Sequence, residues 1–336
     1  MRFNSRLRAA VVSALALSVL GFGGVVVAEE IDREFHETFQ VEPGMRLQLY
    51  HGDGNVTITP WDQDNLDVLV RYRATVKKLV GWSKHDDLDV TFKHDGDTIK
   101  VVGTDPSMVS IGFSAFKEYE YSYTVRAPSY LRLELIGDDG DVAISDWRAD
   151  LELHSNDGDM RLTSIESQKT EIRLDDGDLE ILGFAGELRV ETADGDVEIR
   201  DCVSSRVEIQ VQDGDVHLID CRSDVEVRGD DGDIRLSKLR AEAVDIKTAD
   251  GDVTLDLLPS ENLDLDLRVA DGDVVVEIDQ AISAAFDLST RDGRIRVDGA
   301  AIQDLQKTDR RATGRFGDGS GSIQISSSDG NITLRQ

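Results

Sequence analysis

Asp157-Gly158-Asp159-Met160, Asp176-Gly177-Asp178-Leu179, Asp194-Gly195-Asp196-Val197, Asp213-Gly214-Asp215-Val216 and Asp231-Gly232-Asp233-Ile234 repeat one short phrase. The phrase runs on in both directions. Its central glycines are Gly140, Gly158, Gly177, Gly195, Gly214, Gly232, Gly251, Gly272 and Gly293, in steps of 18, 19, 18, 19, 18, 19, 21 and 21 residues. A fixed period of this length is the mark of stacked repeats, and it outranks any local propensity.

Apolar side chains hold fixed offsets from each glycine. Five before it stand Leu135, Leu153, Ile172, Val190, Ile209, Val227, Ile246, Leu267 and Leu288. Seven before it the column is apolar except at Thr170. Two after come Val142, Met160, Leu179, Val197, Val216, Ile234, Val253, Val274 and Ile295, and four after the column is again apolar. Period two within each arm predicts a strand with one buried face. Across the glycine the buried offsets change from odd to even, so the chain must bend there. A further column seven after the glycine (Trp147, Ile165, Phe184, Cys202, Cys221, Leu239, Leu258) is expected at a second corner.

No such unit buries its apolar face alone, so neighbours must stack. The expected fold is all-β: a parallel β-solenoid of about 18–19-residue coils with an N-terminal antiparallel β cap. A sandwich of antiparallel hairpins is the competitor, and constant spacing of near-identical units favours the solenoid.

The ends refine this. Residues 1–28 read as a signal peptide: Arg2, Arg6 and Arg8, an apolar run from Ala9 to Val27, and a cut before Glu29. An uncleaved anchor is the alternative, since the run is nearly long enough to span a bilayer. Residues 29–128 are expected to form the cap with one outlying repeat about Gly54, and a hairpin about Asp95-Gly96-Asp97. Residues 129–299 form the solenoid. Residues 300–336 hold an insertion with Lys307, Arg310, Arg311 and Arg315, then a last repeat about Gly330. The net charge of −30 becomes −33 once residues 1–28, with three arginines and no acid, are removed. Such a chain repels nucleic acid and anionic lipid faces, and no later apolar stretch could span a membrane.

The sequence resembles the bacterial adhesin-like β-strand-repeat family, a family of unknown function. Val125-Arg126-Ala127-Pro128, the Asp-Gly-Asp-Val copies, and the ending from Gly317-Asp318-Gly319 to Ser328-Asp329-Gly330-Asn331-Ile332-Thr333-Leu334 carry the likeness. It spans nearly all of the chain after residue 28. It implies an envelope or surface protein with a repetitive β fold, labelled adhesin by analogy; with the signal peptide, the expected place is the periplasm, the cell surface or the medium. It brings no catalytic residues with it, and the acidic turns here are denser than the family leads one to expect.

Chemistry, if any, rests on the aspartates. In a stack, those before and after each glycine become two ladders whose neighbours, about 4.8 Å apart, repel by roughly 1 kcal/mol even in water. One reading makes Asp159, Asp178, Asp196, Asp215, Asp233 and Asp252 ligands of Ca²⁺, a hard cation that takes carboxylate and carbonyl oxygens. The other has the first aspartate capping turn amides while the second stays solvated. Cys202 and Cys221 share one offset 19 residues apart. In adjacent coils they come within disulfide reach, and export permits oxidation; two buried thiols are the alternative.

No histidine has zinc-site spacing, and no nucleophile elbow or phosphate loop occurs. A Ca²⁺-stabilised polysaccharide-acting enzyme on a β-helix scaffold is the second functional reading, but the repeats are too uniform to suggest a cleft. The favoured expectation is a non-catalytic protein, without cofactor unless Ca²⁺, whose solenoid surface binds a cell-envelope protein or glycan. Candidate patches outside the repeats are Lys77 to His85, Met108 to Phe116, and Lys307 to Arg315.

Overall fold

The computed structural model describes residues 26–79, 89–103, 117–260, 262–299 and 302–336. The signal segment lies outside these apart from Val26 to Ala28. So does all of Met108 to Phe116, and of Lys77 to His85 all but Lys77 to Leu79. Among the described residues every regular element is a strand. The chain divides into two compact units, up to Ile144 and from Ser145 onward.

The first unit holds β1 (Val26–Gln40), β2 (Arg46–Gly52), β3 (Asn55–Pro60), β4 (Asn65–Leu79), β5 (Val90–Asp95), β6 (Thr98–Gly103), β7 (Lys117–Ala127), β8 (Arg132–Gly137) and β9 (Val142–Ser145). The Gly54 repeat is β2 and β3. It lies between two neighbours in parallel register: β6 and β8 flank β2, while β7 and β9 flank β3. Leu47 thus sits beside Ile99 and Leu133, and all three are buried. Antiparallel strands complete the unit: β4 on β7, β1 on β4, and β5 on β6 around Gly96. Alternation decides the faces. Val68, Val70 and Tyr72 of β4 are wholly buried, while Asp67, Leu69 and Arg71 point the other way.

The second unit begins with β10 (Leu151–Ser155), β11 (Met160–Asp176), β12 (Leu179–Asp194), β13 (Val197–Asp213), β14 (Val216–Ile219) and β15 (Arg222–Asp231). Then come β16 (Ile234–Leu239), β17 (Ala243–Asp250), β18 (Val253–Leu257), β19 (Asp264–Asp271) and β20 (Val274–Ile278). Each arm pairs in parallel with the same arm one repeat on: Leu162 with Ile181, Ile181 with Ile199, Ile199 with Leu218. The inward columns at two and four after glycine, and at five before it, are almost fully buried apart from the half-buried Val297.

The second corner is built the same way in successive coils. Asp146, Ser164, Gly183, Asp201, Asp220 and Lys238 all have positive φ, between 53° and 74°. Each precedes a buried member of the corner column, from Trp147 to Leu239. A residue in the left-handed region turns the strand sharply enough to bring the next side chain inward.

The far end departs from the sequence reading. There lie β21 (Ala284–Asp292), β22 (Ile295–Asp298), β23 (Ile302–Lys307), β24 (Arg311–Phe316), β25 (Gly321–Asp329) and β26 (Ile332–Arg335). The Gly330 repeat does not follow the Gly293 repeat in space. β25 pairs in parallel with β19 on one side and β21 on the other, and β26 lies likewise between β20 and β22. The order along the stack is therefore Gly251, Gly272, Gly330, Gly293. The insertion folds as an antiparallel hairpin, β23 with β24, and β24 runs antiparallel along β21. Phe316 and Ala312 of β24 are wholly buried, and Phe316 meets the Phe286 ring at 5.2 Å. The hairpin closes the apolar end of the stack and occupies the edge of β21, which would otherwise stay open to pairing.

Candidate functional site

The turn ridge of the second unit is where the sequence concentrates its chemistry. Parallel register places each glycine over the one before it. At Gly214 φ is 145°, and an added Cβ would meet the carbonyl oxygen of Gly195 at 2.2 Å. Positive φ and close backbone approach thus both demand glycine.

The amides beside each glycine are satisfied between coils rather than within them. The Gly195 N–H donates to the Asp213 carbonyl at 3.1 Å, and the Gly214 N–H to the Asp231 carbonyl at 3.2 Å. The N–H of the aspartate after glycine donates backward to the carboxylate of its counterpart. Asp178 donates to Asp159 Oδ1 at 3.0 Å, Asp196 to Asp178 at 2.9 Å, Asp215 to Asp196 at 2.8 Å, Asp233 to Asp215 at 2.8 Å and Asp252 to Asp233 at 2.9 Å. The series continues with Asp273 to Asp252, Asn331 to Asp273 and Arg294 to Asn331. In the first unit the Asp141 N–H finds Asn55 Oδ1 in the same manner.

This reverses the capping roles read from the sequence. The second aspartate, not the first, caps an amide. Main-chain bonds of a parallel stack point along its axis, so the N–H within reach belongs to the neighbouring coil. The six residues proposed as Ca²⁺ ligands are brought together in this ladder, each with Oδ1 engaged by a backbone N–H. Among the described residues, no group of three or more His, Cys, Asp or Glu side chains is arranged to hold a metal ion.

The aspartates before glycine form the other ladder, with Asp176, Asp194 and Asp213 in direct register. The carboxyls of Asp176 and Asp213 are held above the ordinary aspartate range. Partial loss of water contributes most, although both side chains face solvent. The charges of Asp194 and Asp157 act next on Asp176, and those of Asp194 and Asp231 on Asp213.

Sequence reasoning missed the buried column three before glycine. Ser155 donates to the Asp157 carbonyl at 2.9 Å, Thr248 to that of Asp250 at 2.9 Å, and Thr290 to that of Gly330 at 3.0 Å. Leu174, Val211 and Val269 share the offset and hid the polar members. A column of uniformly small or branched residues was the available signal. In the Gly54 coil the same place holds His51, fully buried, its Nδ1 donating to the Gly54 carbonyl at 2.9 Å.

The outer face beside the ridge carries a chain of ion pairs across coils. Arg173 meets Glu191 at 3.0 Å, Arg189 bridges Glu191 and Glu208, Arg206 reaches Glu226, and Arg228 joins Glu226 at 2.7 Å to Asp245 at 2.8 Å. A hydrogen bond from Arg189 holds the Glu191 carboxyl below its usual range, and one from Lys169 does the same for Glu171. Between this face and the ridge runs a shallow groove of about 790 Å³. Arg173, Glu191, Gln210, Arg228 and Lys247 line one side of it, and Asp175, Ala193, Gln212, Asp230 and Ala249 the other. Cys202 and Cys221 sit in the second corner, buried, with Cα atoms 4.6 Å apart and their sulfurs joined. The basic insertion pairs mostly with its own chain: Arg310 with Asp292, Arg311 with Asp287, and Arg315 with Asp304.

The Toastrack DUF4097 family model matches residues 129–223 and, overlapping them, 187–335, which is more than half of the chain. The chain belongs to the Toastrack DUF4097 family. None of the curated proteins matches it. Among solved structures it is similar to a "putative adhesin" from Parabacteroides merdae, at 10% identity over 90% of this chain and 95% of that one, with a TM-score of 0.39. It is similar also to a "putative lipid binding protein" from Parabacteroides distasonis, at 12% identity over 89% and 96%, TM-score 0.38. A "putative adhesin" from Bacteroides fragilis follows at 14% identity over 90% and 97%, TM-score 0.33. Likenesses this distant say nothing of the ligand or activity of this Toastrack chain.

Proposed function

We propose that this Toastrack protein is exported and non-catalytic, and that it holds an extended cell-envelope component, glycan or protein, along its stack of coils. The observation that carries the reading is the groove beside the turn ridge. It crosses successive coils, so a ligand lying in it meets the same offsets again and again. Arg173, Arg228 and Lys247 offer donors, and Gln210 offers both a donor and an acceptor. Ala193, Ala249 and Ala270 leave room there for a sugar ring or a peptide backbone. The basic start and apolar run of residues 1–28 support export.

The test is binding to isolated envelope fractions. Wild type should sediment with them, while Ala193→Trp and Ala249→Trp fill the groove and lower the bound fraction at least tenfold with the melting temperature held. Undiminished binding by both variants would remove the groove from the reading.

A further inference from the structure

The interleaved coil at the end of the second unit occupies a slot formed by four strands. On one side, the Gly272 and Val274 N–H groups donate to the carbonyls of Asp329 and Asn331 at 3.0 and 2.8 Å. On the other, the Gly330 and Ile332 N–H groups donate to those of Asp292 and Arg294, both at 3.0 Å. Ile323, Ile325, Ile332 and Leu334 are buried to within 1%. The fit is specific. A Cβ on Gly330 would meet the Gly272 oxygen at 1.9 Å, so only a glycine passes there. Asn331 stands where the ladder from Asp159 to Asp273 carries aspartate. Its side-chain NH₂ donates to Asp273 Oδ1 at 3.1 Å, while its own Oδ1 takes the Arg294 N–H. Asp273 therefore faces a donor instead of another carboxylate. Arg335 adds an ion pair to Glu277 at 3.0 Å.

The coil hangs on a short link, Gly317-Asp318-Gly319-Ser320. Both glycines have positive φ, at 57° and 75°, and Ser283 bonds hold the link closed. If the coil leaves, β21 still keeps β24 along one edge. Four extended residues span about 13 Å.

We propose that the slot is a strand-complementation site and that a second copy of this chain supplies residues 321–336 to it, giving a reciprocally exchanged dimer. Identical chains make every contact that reads the coil available in trans. Ladders on both sides supply the binding, as when a strand is added to a sheet edge, here to two edges at once. A short link that must reverse direction favours exchange over closure.

The experiment uses the full chain carrying Arg268→Cys and Ser326→Cys, which replace register partners of β19 and β25. The protein is warmed to partial unfolding at a series of concentrations, cooled, oxidised and mapped by peptide mass. An exchanged dimer gives a 268–326 crosslink between chains, in a fraction that grows with concentration. Crosslinking within single chains at every concentration would overturn the proposal. Wild-type chain annealed in parallel should show the same dimer by light scattering. Inserting six Gly/Ser residues after Ser320 should cut that dimer at least threefold, because a longer link closes in cis; an unchanged fraction would also overturn it.

Discussion

Asp215 shows what the aspartate after glycine does. Its Oδ1 accepts the Asp233 N–H at 2.8 Å, and its own N–H is accepted by Asp196. The chain supplies its own control, because Asn55 and Asn331 stand in the same place and accept the same kind of N–H. A neutral amide therefore suffices. Asp215→Asn should match or exceed wild-type stability, while Asp215→Ala should lose about 1 kcal/mol by stranding the Asp233 amide. Urea denaturation of both variants measures this, and a large loss in the Asn variant would contradict the ladder's role. The aspartates before glycine behave oppositely. Asp194 repels Asp176 and Asp213, whose folded carboxyls titrate above their unfolded range. A raised carboxyl pKa means that the folded state binds protons more readily. Ionisation therefore costs stability at pH above that pKa, and the cost disappears as pH falls through it. Asp194→Asn should raise the melting temperature by about 1–3 °C near neutrality, with the gain shrinking in acid and in high salt.

At the scale of the element, the second corner is a joint rather than a loop. From Trp147 to Leu239 each coil turns there on a residue of positive φ and then buries one side chain. Cys202 and Cys221 fill two successive places, and their bridge ties one coil to the next across 19 residues. Closing a loop of that length is worth about 3 kcal/mol in the chain-entropy account. Cys202→Ala with Cys221→Ala should lower the unfolding free energy by that order, and mass spectrometry of the non-reduced wild type should find the crosslinked peptide pair. The corner column was readable from the sequence because its members are apolar at one offset. The positive φ just before it was not. Asp146, Asp201 and Asp220 are of a type that tolerates the left-handed region, but Ser164 and Lys238 break the pattern, and backbone geometry unites the five.

At the scale of the whole molecule, the strands, their faces and the bend at each glycine were legible because burial imposes period two on every arm. The order of stacking was not. Local pattern says that a coil such as Ser328-Asp329-Gly330-Asn331 needs neighbours, and any coil offers the same apolar offsets. Only details choose the slot: the donor on Asn331, the glycines beneath it, and a hairpin that covers β21 instead. The first unit repeats this, with the Gly54 coil lying between strands that come later in the chain. The charge of the chain was likewise plain, but not what the aspartates touch. Their density suggests Ca²⁺, yet every ladder carboxylate from Asp159 to Asp252 already has one oxygen on a backbone N–H. Ca²⁺ gathers six to eight oxygens, so an ion on this ladder would draw on the remaining carboxylate oxygens and on main-chain carbonyls. We propose that cations act here by screening, since removing residues 1–28 takes the net charge from −30 to −33 and any cation can screen it. Melting of residues 29–336 in excess EDTA and in millimolar Ca²⁺ should therefore coincide once ionic strength is matched with NaCl. A saturable rise of many degrees with Ca²⁺ alone would instead mean that the free oxygens of neighbouring coils converge on bound ions.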